Sequence, residues 1–356
     1  MISALLTATL LCLLVQALPI QKPKVIVFGD SLSDTGRFKS LTHGLVPPPY
    51  YWQGRFSSGP VWSEWLALLL DYDLSNNAVG LAKSTGTRRM FMHVVPLDPP
   101  TTNDQIAEFA LTNTAAIQPL DIAVLEVGSN DAASAFVDIE SGKQSAYEFV
   151  AQQSDIIIEQ LEMLRSLGFS RILVTNLPSL QHTPEVIRKN RVRLAETTVA
   201  VYNRMLMEKA QKWSMSAQLD LFGIVDLGSF LELAISDQVS GALGITDTKS
   251  FCAGGRWLGL FEDHISFNDF FEYAVFESGD LRAQGCDDPA SKFFFDPIHP
   301  TERVHRLFGY YAHQFLESLA TNKHSNATDG LLTRDGLVSL ITKHNLSAPA
   351  PKPASI

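Results

Sequence analysis

Short apolar runs alternate along the chain with segments of helical period, and that alternation leaves few folds open. The runs are Val25 to Phe28, Asp121 to Val127, Arg171 to Thr175 and Leu219 to Leu227. Each is brief and rich in aliphatic, largely β-branched residues, as strands buried on both faces are. Helical stretches lie between and beyond them: Pro60 to Leu70, Gln105 to Thr112, Tyr147 to Leu167, Pro184 to Trp213, Ser229 to Ala234 and Thr301 to Ala320. Pro60 suits a first helical turn, and Trp62, Trp65, Leu66 and Leu69 recur at helical spacing. Phe149, Ile156, Ile157, Leu161 and Leu164 make a second stripe, which Gly168 ends. Strands alternating with helices predict an α/β chain with a mainly parallel, doubly wound sheet.

The first run stops at Gly29-Asp30-Ser31. A serine just past a buried strand lies at the carboxyl edge of the sheet, where open α/β sheets bind ligands. Gly29 lets the backbone turn sharply and a substrate come close. Ser31 is therefore a candidate nucleophile, presented rather than buried. The second run ends in Val127-Gly128-Ser129-Asn130-Asp131, and near the C-terminus stands Phe295-Asp296-Pro297-Ile298-His299-Pro300. A serine, a histidine and a carboxylate at the edges of ordered elements are the parts of a nucleophile–base–orienter triad.

These segments resemble the blocks of the GDSL, or SGNH, hydrolase family: Gly-Asp-Ser-Leu, then Gly-x-Asn-Asp, then Asp-x-x-His. They stand in the family's order and span roughly Lys24 to Ala320. The resemblance implies a three-layer α/β/α sandwich of flavodoxin-like type. It implies Ser31 as nucleophile, His299 as general base and Asp296 as its orienter. It assigns the oxyanion hole to the Ser31 N–H, to the N–H of Gly80 or Leu81, and to the Asn130 side-chain amide. The middle donor is open because Ser75 to Ala82 fits the family's Asn-x-Ala-x-x-Gly-Ala block with one slip. When Asn76 and Ala78 are aligned, Leu81 stands at the family's glycine and Gly80 comes one residue early. The chemistry asks only for a backbone N–H, which either residue has. The resemblance requires no metal and no cofactor, and no Cys/His spacing suggests a zinc site. The Gly-x-Ser-x-Gly elbow of the α/β-hydrolases occurs nowhere.

The expected activity is ester hydrolysis through an acyl-enzyme. Similarity to secreted fungal esterases, carried partly by Gly54 to Trp62, favours removal of short acyl groups, acetyl above all, from carbohydrate. Lipid esters are the alternative. A catalytically silent carbohydrate-binding protein on the same fold predicts a damaged triad, and Ser31, Asp296 and His299 are all present. Pro47-Pro48-Pro49 predicts a loop, and Tyr50, Tyr51 and Trp52 follow it. Those aromatics either line the substrate cleft, against a sugar ring or an acyl chain, or pack down the loop itself.

Residues Ala4 to Val15 are apolar and Ala17 is small, so residues 1–17 read as a secretory signal peptide. A run of roughly a dozen residues is too short to cross a bilayer. Residues 18–320 then form the hydrolase domain and 321–356 a flexible tail. Cys12 leaves with the signal; Cys252 and Cys286 pair as a disulfide in an oxidising compartment. Asn326 and Asn345 head N-glycosylation sequons. Residues 241–285 show no clear period and read as an insertion beside the active site. The chain carries 28 Lys and Arg against 38 Asp and Glu, a net charge of −10. Nothing basic clusters, which argues against nucleic acid or an anionic membrane as partner. A secreted monomer acting on a small-molecule or oligosaccharide ester is expected.

Overall fold

Five parallel strands order the molecule in the computed structural model, which describes residues 22–86, 90–92, 95–113, 115–253, 286–321 and 332–350. They are β1 (Lys24–Gly29), β2 (Asp73–Asn76), β3 (Ile122–Glu126), β4 (Arg171–Thr175) and β5 (Leu221–Val225). Their spatial order is β2-β1-β3-β4-β5, with the reversal beside β1. Ligands bind at such a reversal, outside the carboxyl ends of the strands.

The apolar runs are explained by two faces. Val25, Val27, Ile122, Val124, Leu173 and Val225 face one core. Ile26, Phe28, Ala123, Leu125, Ile172 and Val174 face the other. Both positions of the period-two alternation are therefore apolar. All four residues from Val25 to Phe28 are at most 2% exposed, and burying each large side chain contributes roughly 1.5–3 kcal/mol. The second face is covered by α2 (Thr102–Thr112), α3 (Ser129–Glu140), α4 (Ala146–Ser166) and α6 (Val192–Ala217). The first is covered by α1 (Trp62–Leu70), α7 (Leu227–Ala234), α9 (Glu302–Thr321) and α10 (Arg334–His344). The result is the three-layer α/β/α arrangement.

Four expectations need correction. The stretch Pro184 to Trp213 is two helices, α5 (Pro184–Arg188) and α6, broken at Asn190, whose φ is +56°. Asparagine enters the left-handed region at lower cost than most residues. The edge strand β2 has no strand signal in the sequence, because Asp-Leu-Ser-Asn carries no apolar alternation. Residues 241–285 are not wholly irregular. α8 (Asp237–Ala242) enters the segment, and β6 (Asp247–Phe251) pairs in parallel with β7 (Lys292–Phe294). The Cys252–Cys286 disulfide lies beside that pair, while 254–285 fall outside the described residues.

The fourth correction concerns the expected tail. Helix α10 buries Leu337, Leu340 and Ile341, and Leu346 follows them into the core. The buried Arg306 of α9 donates from Nη2 to the carbonyls of Leu346 and Ala348, at 2.7 and 2.6 Å. The folded unit therefore reaches past residue 320 to about Ala348. Asn345 is exposed where α10 ends, with φ +52°. Asn326 and residues 1–17 lie outside the described residues.

Candidate active site

Strand β1 delivers Ser31 at the carboxyl edge of the sheet. Gly29 is needed at its end, since a Cβ there would stand 2.7 Å from the Glu126 carbonyl oxygen of β3. Ser31 is only 5% exposed, so it is reached through a cavity rather than presented on the surface. The turn Asp296–His299 follows β7 and brings the other two predicted residues to the same place. His299 Nε2 lies 2.7 Å from Ser31 Oγ, and its Nδ1 lies 2.7 Å from Asp296 Oδ2.

The chemistry of the partners assigns the tautomer. A carboxylate only accepts, so Nδ1 carries the proton and donates to Asp296. In a neutral imidazole Nε2 is then the acceptor, and the serine hydroxyl donates to it. Asp296 and His299 are 0% and 2% exposed. Phe56 packs over the imidazole, with ring centroids 5.1 Å apart. This is the geometry of a serine poised to lose its proton to a buried, oriented base.

The candidate oxyanion donors surround the serine. The N–H groups of Ser31 and Leu81 have no acceptor among the described residues. Gly80 differs: its N–H donates to Asp34 Oδ2 at 2.7 Å. Asp34 also accepts from the N–H groups of Gly36, Arg37 and Phe38. Burial pushes its carboxyl up, and these backbone donors oppose the shift. Leu81 holds φ +68°, the left-handed conformation that suits the family's glycine. Asn130 lies in the first turn of α3, and its Nδ2 donates to the Ala82 carbonyl at 3.0 Å and approaches Asp30 Oδ2 at 3.4 Å.

A cavity of about 340 Å³ opens beside Ser31, Asn130 and His299. Its walls are largely apolar, with Leu32, Phe136, Val137, Leu180, Val186 and Leu231 contributing. Glu185, Lys189 and Arg191 add charge to the lining. The cleft role expected of Tyr50, Tyr51 and Trp52 is corrected, because none of them lines this cavity. Tyr50 and Tyr51 pack on one another, centroids 5.1 Å apart, and Arg55 covers the Trp52 ring at 4.8 Å. Tyr51 is 1% exposed and points its hydroxyl at Asp296 Oδ2, 2.7 Å away.

Two buried carboxyls behind the serine were not singled out from the sequence. Burial pushes Asp30 well up, and the neighbouring Glu126 adds to the shift. Burial likewise raises Glu126 to about 7, against hydrogen bonds from Ser33 and Asp30. Glu126 ends an apolar run, and an acidic residue at that place in the sequence marks a buried carboxyl. Among the described residues no cluster of His, Cys, Asp and Glu could hold a metal ion. No described helix is long and apolar enough to cross a membrane.

The family model for GDSL-like lipase/acylhydrolase matches residues 25–312. The chain belongs to that family. The match spans the sheet, the Ser31 block and the Asp296–His299 turn, and this GDSL hydrolase is accordingly a carboxylic ester hydrolase. A phosphatidylcholine-sterol acyltransferase of Aeromonas hydrophila is 26% identical over 317 residues, 83% of this chain and 90% of that protein. A GDSL esterase/lipase of Arabidopsis thaliana is 25% identical over 312 residues, 80% and 84% of the two chains. Among solved structures, a carbohydrate acetylesterase from Sinorhizobium meliloti aligns with a TM-score of 0.40 at 13% identity, over 84% of this chain and 99% of that one. An acetylxylan esterase from Geobacillus stearothermophilus aligns with a TM-score of 0.36 at 10% identity, over 74% and 96%. Both are distant resemblances.

Proposed function

We propose that this GDSL hydrolase is a secreted serine esterase that cleaves esters with acyl chains longer than acetyl. What carries the triad assignment is the continuous hydrogen-bonded chain from Ser31 through His299 to Asp296, with both links at 2.7 Å. Ser31 Oγ attacks the ester carbonyl as its proton passes to His299 Nε2. Asp296 holds the ring in the reactive tautomer and stabilises the imidazolium. The N–H groups of Ser31 and Leu81, with the Asn130 amide, receive the oxyanion. The imidazolium returns its proton to the leaving alcohol. Water, deprotonated by His299, then releases the acid and restores Ser31.

The cavity favours the longer acyl chain. Its apolar walls beside Ser31 suit an alkyl group, since burying each methylene contributes about 0.8 kcal/mol. Tyr50, Tyr51 and Trp52 do not line that cavity. Secretion is part of the same proposal, supported by the Cys252–Cys286 disulfide, a bond of oxidising compartments.

Hydrolysis of p-nitrophenyl acetate, butyrate and octanoate by the wild type and by Ser31→Ala tests the proposal. Turnover that rises or holds with chain length, and vanishes in the variant, is expected. Activity confined to acetate overturns the acyl assignment in favour of carbohydrate acetyl esters. Full activity in Ser31→Ala overturns the triad.

A further inference from the structure

We propose that Tyr51 is a positioning residue for the reaction, acting on His299 through the Asp296 carboxylate. The proposal rests on the triad assignment above.

An ionised carboxylate offers about four lone-pair sites, and on Asp296 four donors occupy them. Oδ1 accepts from the backbone N–H groups of Ile298 and His299, both at 2.8 Å. Oδ2 accepts from His299 Nδ1 and from the Tyr51 hydroxyl, both at 2.7 Å. Three of these donors belong to the Asp296–His299 turn itself. The fourth comes from 245 residues earlier in the chain. Since a carboxylate has no proton to give, Tyr51 is the donor.

The phenol is held in place by its surroundings. Its ring meets Phe295 edge-on, centroids 4.8 Å apart at 89°, and Phe56 at 6.2 Å. Phe56 in turn packs over the imidazole. Tyr51 belongs to a buried cluster with Phe38, Val46, Phe56, Val79 and Leu81. A phenylalanine would satisfy that cluster without burying a hydroxyl, so the hydroxyl answers to Asp296.

Two consequences follow for catalysis. Oδ2 is held from both sides, which fixes the acceptor that His299 Nδ1 sees. The phenol also draws on the carboxylate's charge, which weakens its hold on the imidazolium. Tyr51 therefore sets both the direction and the strength of the Asp296 contact that orients His299. The other titratable groups near the ring are Asp30, past the end of β1, and His305 in α9. Burial pushes the Asp30 carboxyl well up and the His305 imidazole down.

The test is Tyr51→Phe in the full chain, assayed on p-nitrophenyl butyrate. It is expected to lower kcat about tenfold with KM little changed, a modest share of what general base catalysis supplies. The thermal midpoint should stay near wild type because the ring is retained. In an Asp296→Asn background the same substitution should cost nothing further, since its effect runs through the carboxylate.

Wild-type kcat in Tyr51→Phe overturns the proposal. Additive losses in the double variant overturn it too, as does a collapsed thermal midpoint that accounts for the lost activity. Ser31→Ala, run alongside, separates the two failures. An inactive Ser31→Ala beside an unaffected Tyr51→Phe removes only the role of Tyr51. An active Ser31→Ala removes the triad.

Discussion

The Gly80 N–H donates to Asp34 Oδ2 at 2.7 Å, and Leu81 next to it holds its backbone at φ +68°. That pairing commits the Gly80 N–H to Asp34. Leu81 is left with an N–H that meets no acceptor among the described residues. Holding a leucine in this conformation costs about 1–2 kcal/mol. Strain of this kind persists where the surroundings over-determine it, and Asp34 and the packed leucine side chain do so here.

Leu81→Gly keeps the backbone donor and relieves the strain, but removes a side chain only 2% exposed. Losing a buried leucine costs about 2–5 kcal/mol, more than the strain returns. We expect kcat within about threefold of wild type and a stability loss of about 2 kcal/mol, read from urea unfolding. Asn130→Ala should do the reverse. It should lower kcat about a hundred- to a thousandfold with little change in stability, as steady-state kinetics and a thermal melt would show together.

Glu126 makes stability depend on pH. Its carboxyl titrates from 4.5 in the unfolded chain and near 7 when buried. Between those values the folded protein holds a proton that the unfolded chain has released. The contribution is therefore full below about 4.5 and is lost as pH rises through about 7. The total is on the order of 3 kcal/mol. Urea midpoints should fall from pH 5 to pH 8, and Glu126→Gln, which stays neutral, should flatten the slope. A midpoint that climbs across this range in the wild type would contradict the assignment.

Ala133 lies on α3, exposed, and lines the cavity beside Ser31. Ala133→Trp adds bulk to that space without overpacking the core. Octanoate kcat/KM should fall at least about tenfold, the equivalent of roughly two lost methylene contacts. Acetate turnover should stay near wild type. Equal losses on both esters would mean that the acyl chain lies elsewhere.

Helix α10 is testable as part of the fold. Leu340 is 3% exposed against the core, so Leu340→Ala should cost about 2–5 kcal/mol. A change below about 0.5 kcal/mol, the range of surface substitutions, would return residues 332–350 to the status of a tail.

Much of this protein is written locally. Val25 to Phe28 had to be a buried strand, because four successive apolar residues satisfy both faces of a parallel sheet. Arg171–Thr175 stands at its expected limits for the same reason. Asp296 and His299 were legible as a pair, since three residues of spacing place both on one turn that orders itself through Asp296 Oδ1. Other features depend on partners far along the chain. Tyr51 looked like a cleft aromatic until the fold brought Asp296 to its hydroxyl. Gly80 and Leu81 were equivalent donors until Asp34, 46 residues before Gly80, claimed one of them. Helix α10 reads as a tail in the sequence because its short apolar stripe gains stability only against distant partners, α7, α8 and α9. Local sequence determined which residues form strands, helices and the Asp296–His299 turn. Tertiary structure decided where each hydroxyl and N–H points, because a single hydrogen bond across the fold chooses between directions that the chain leaves equal in energy.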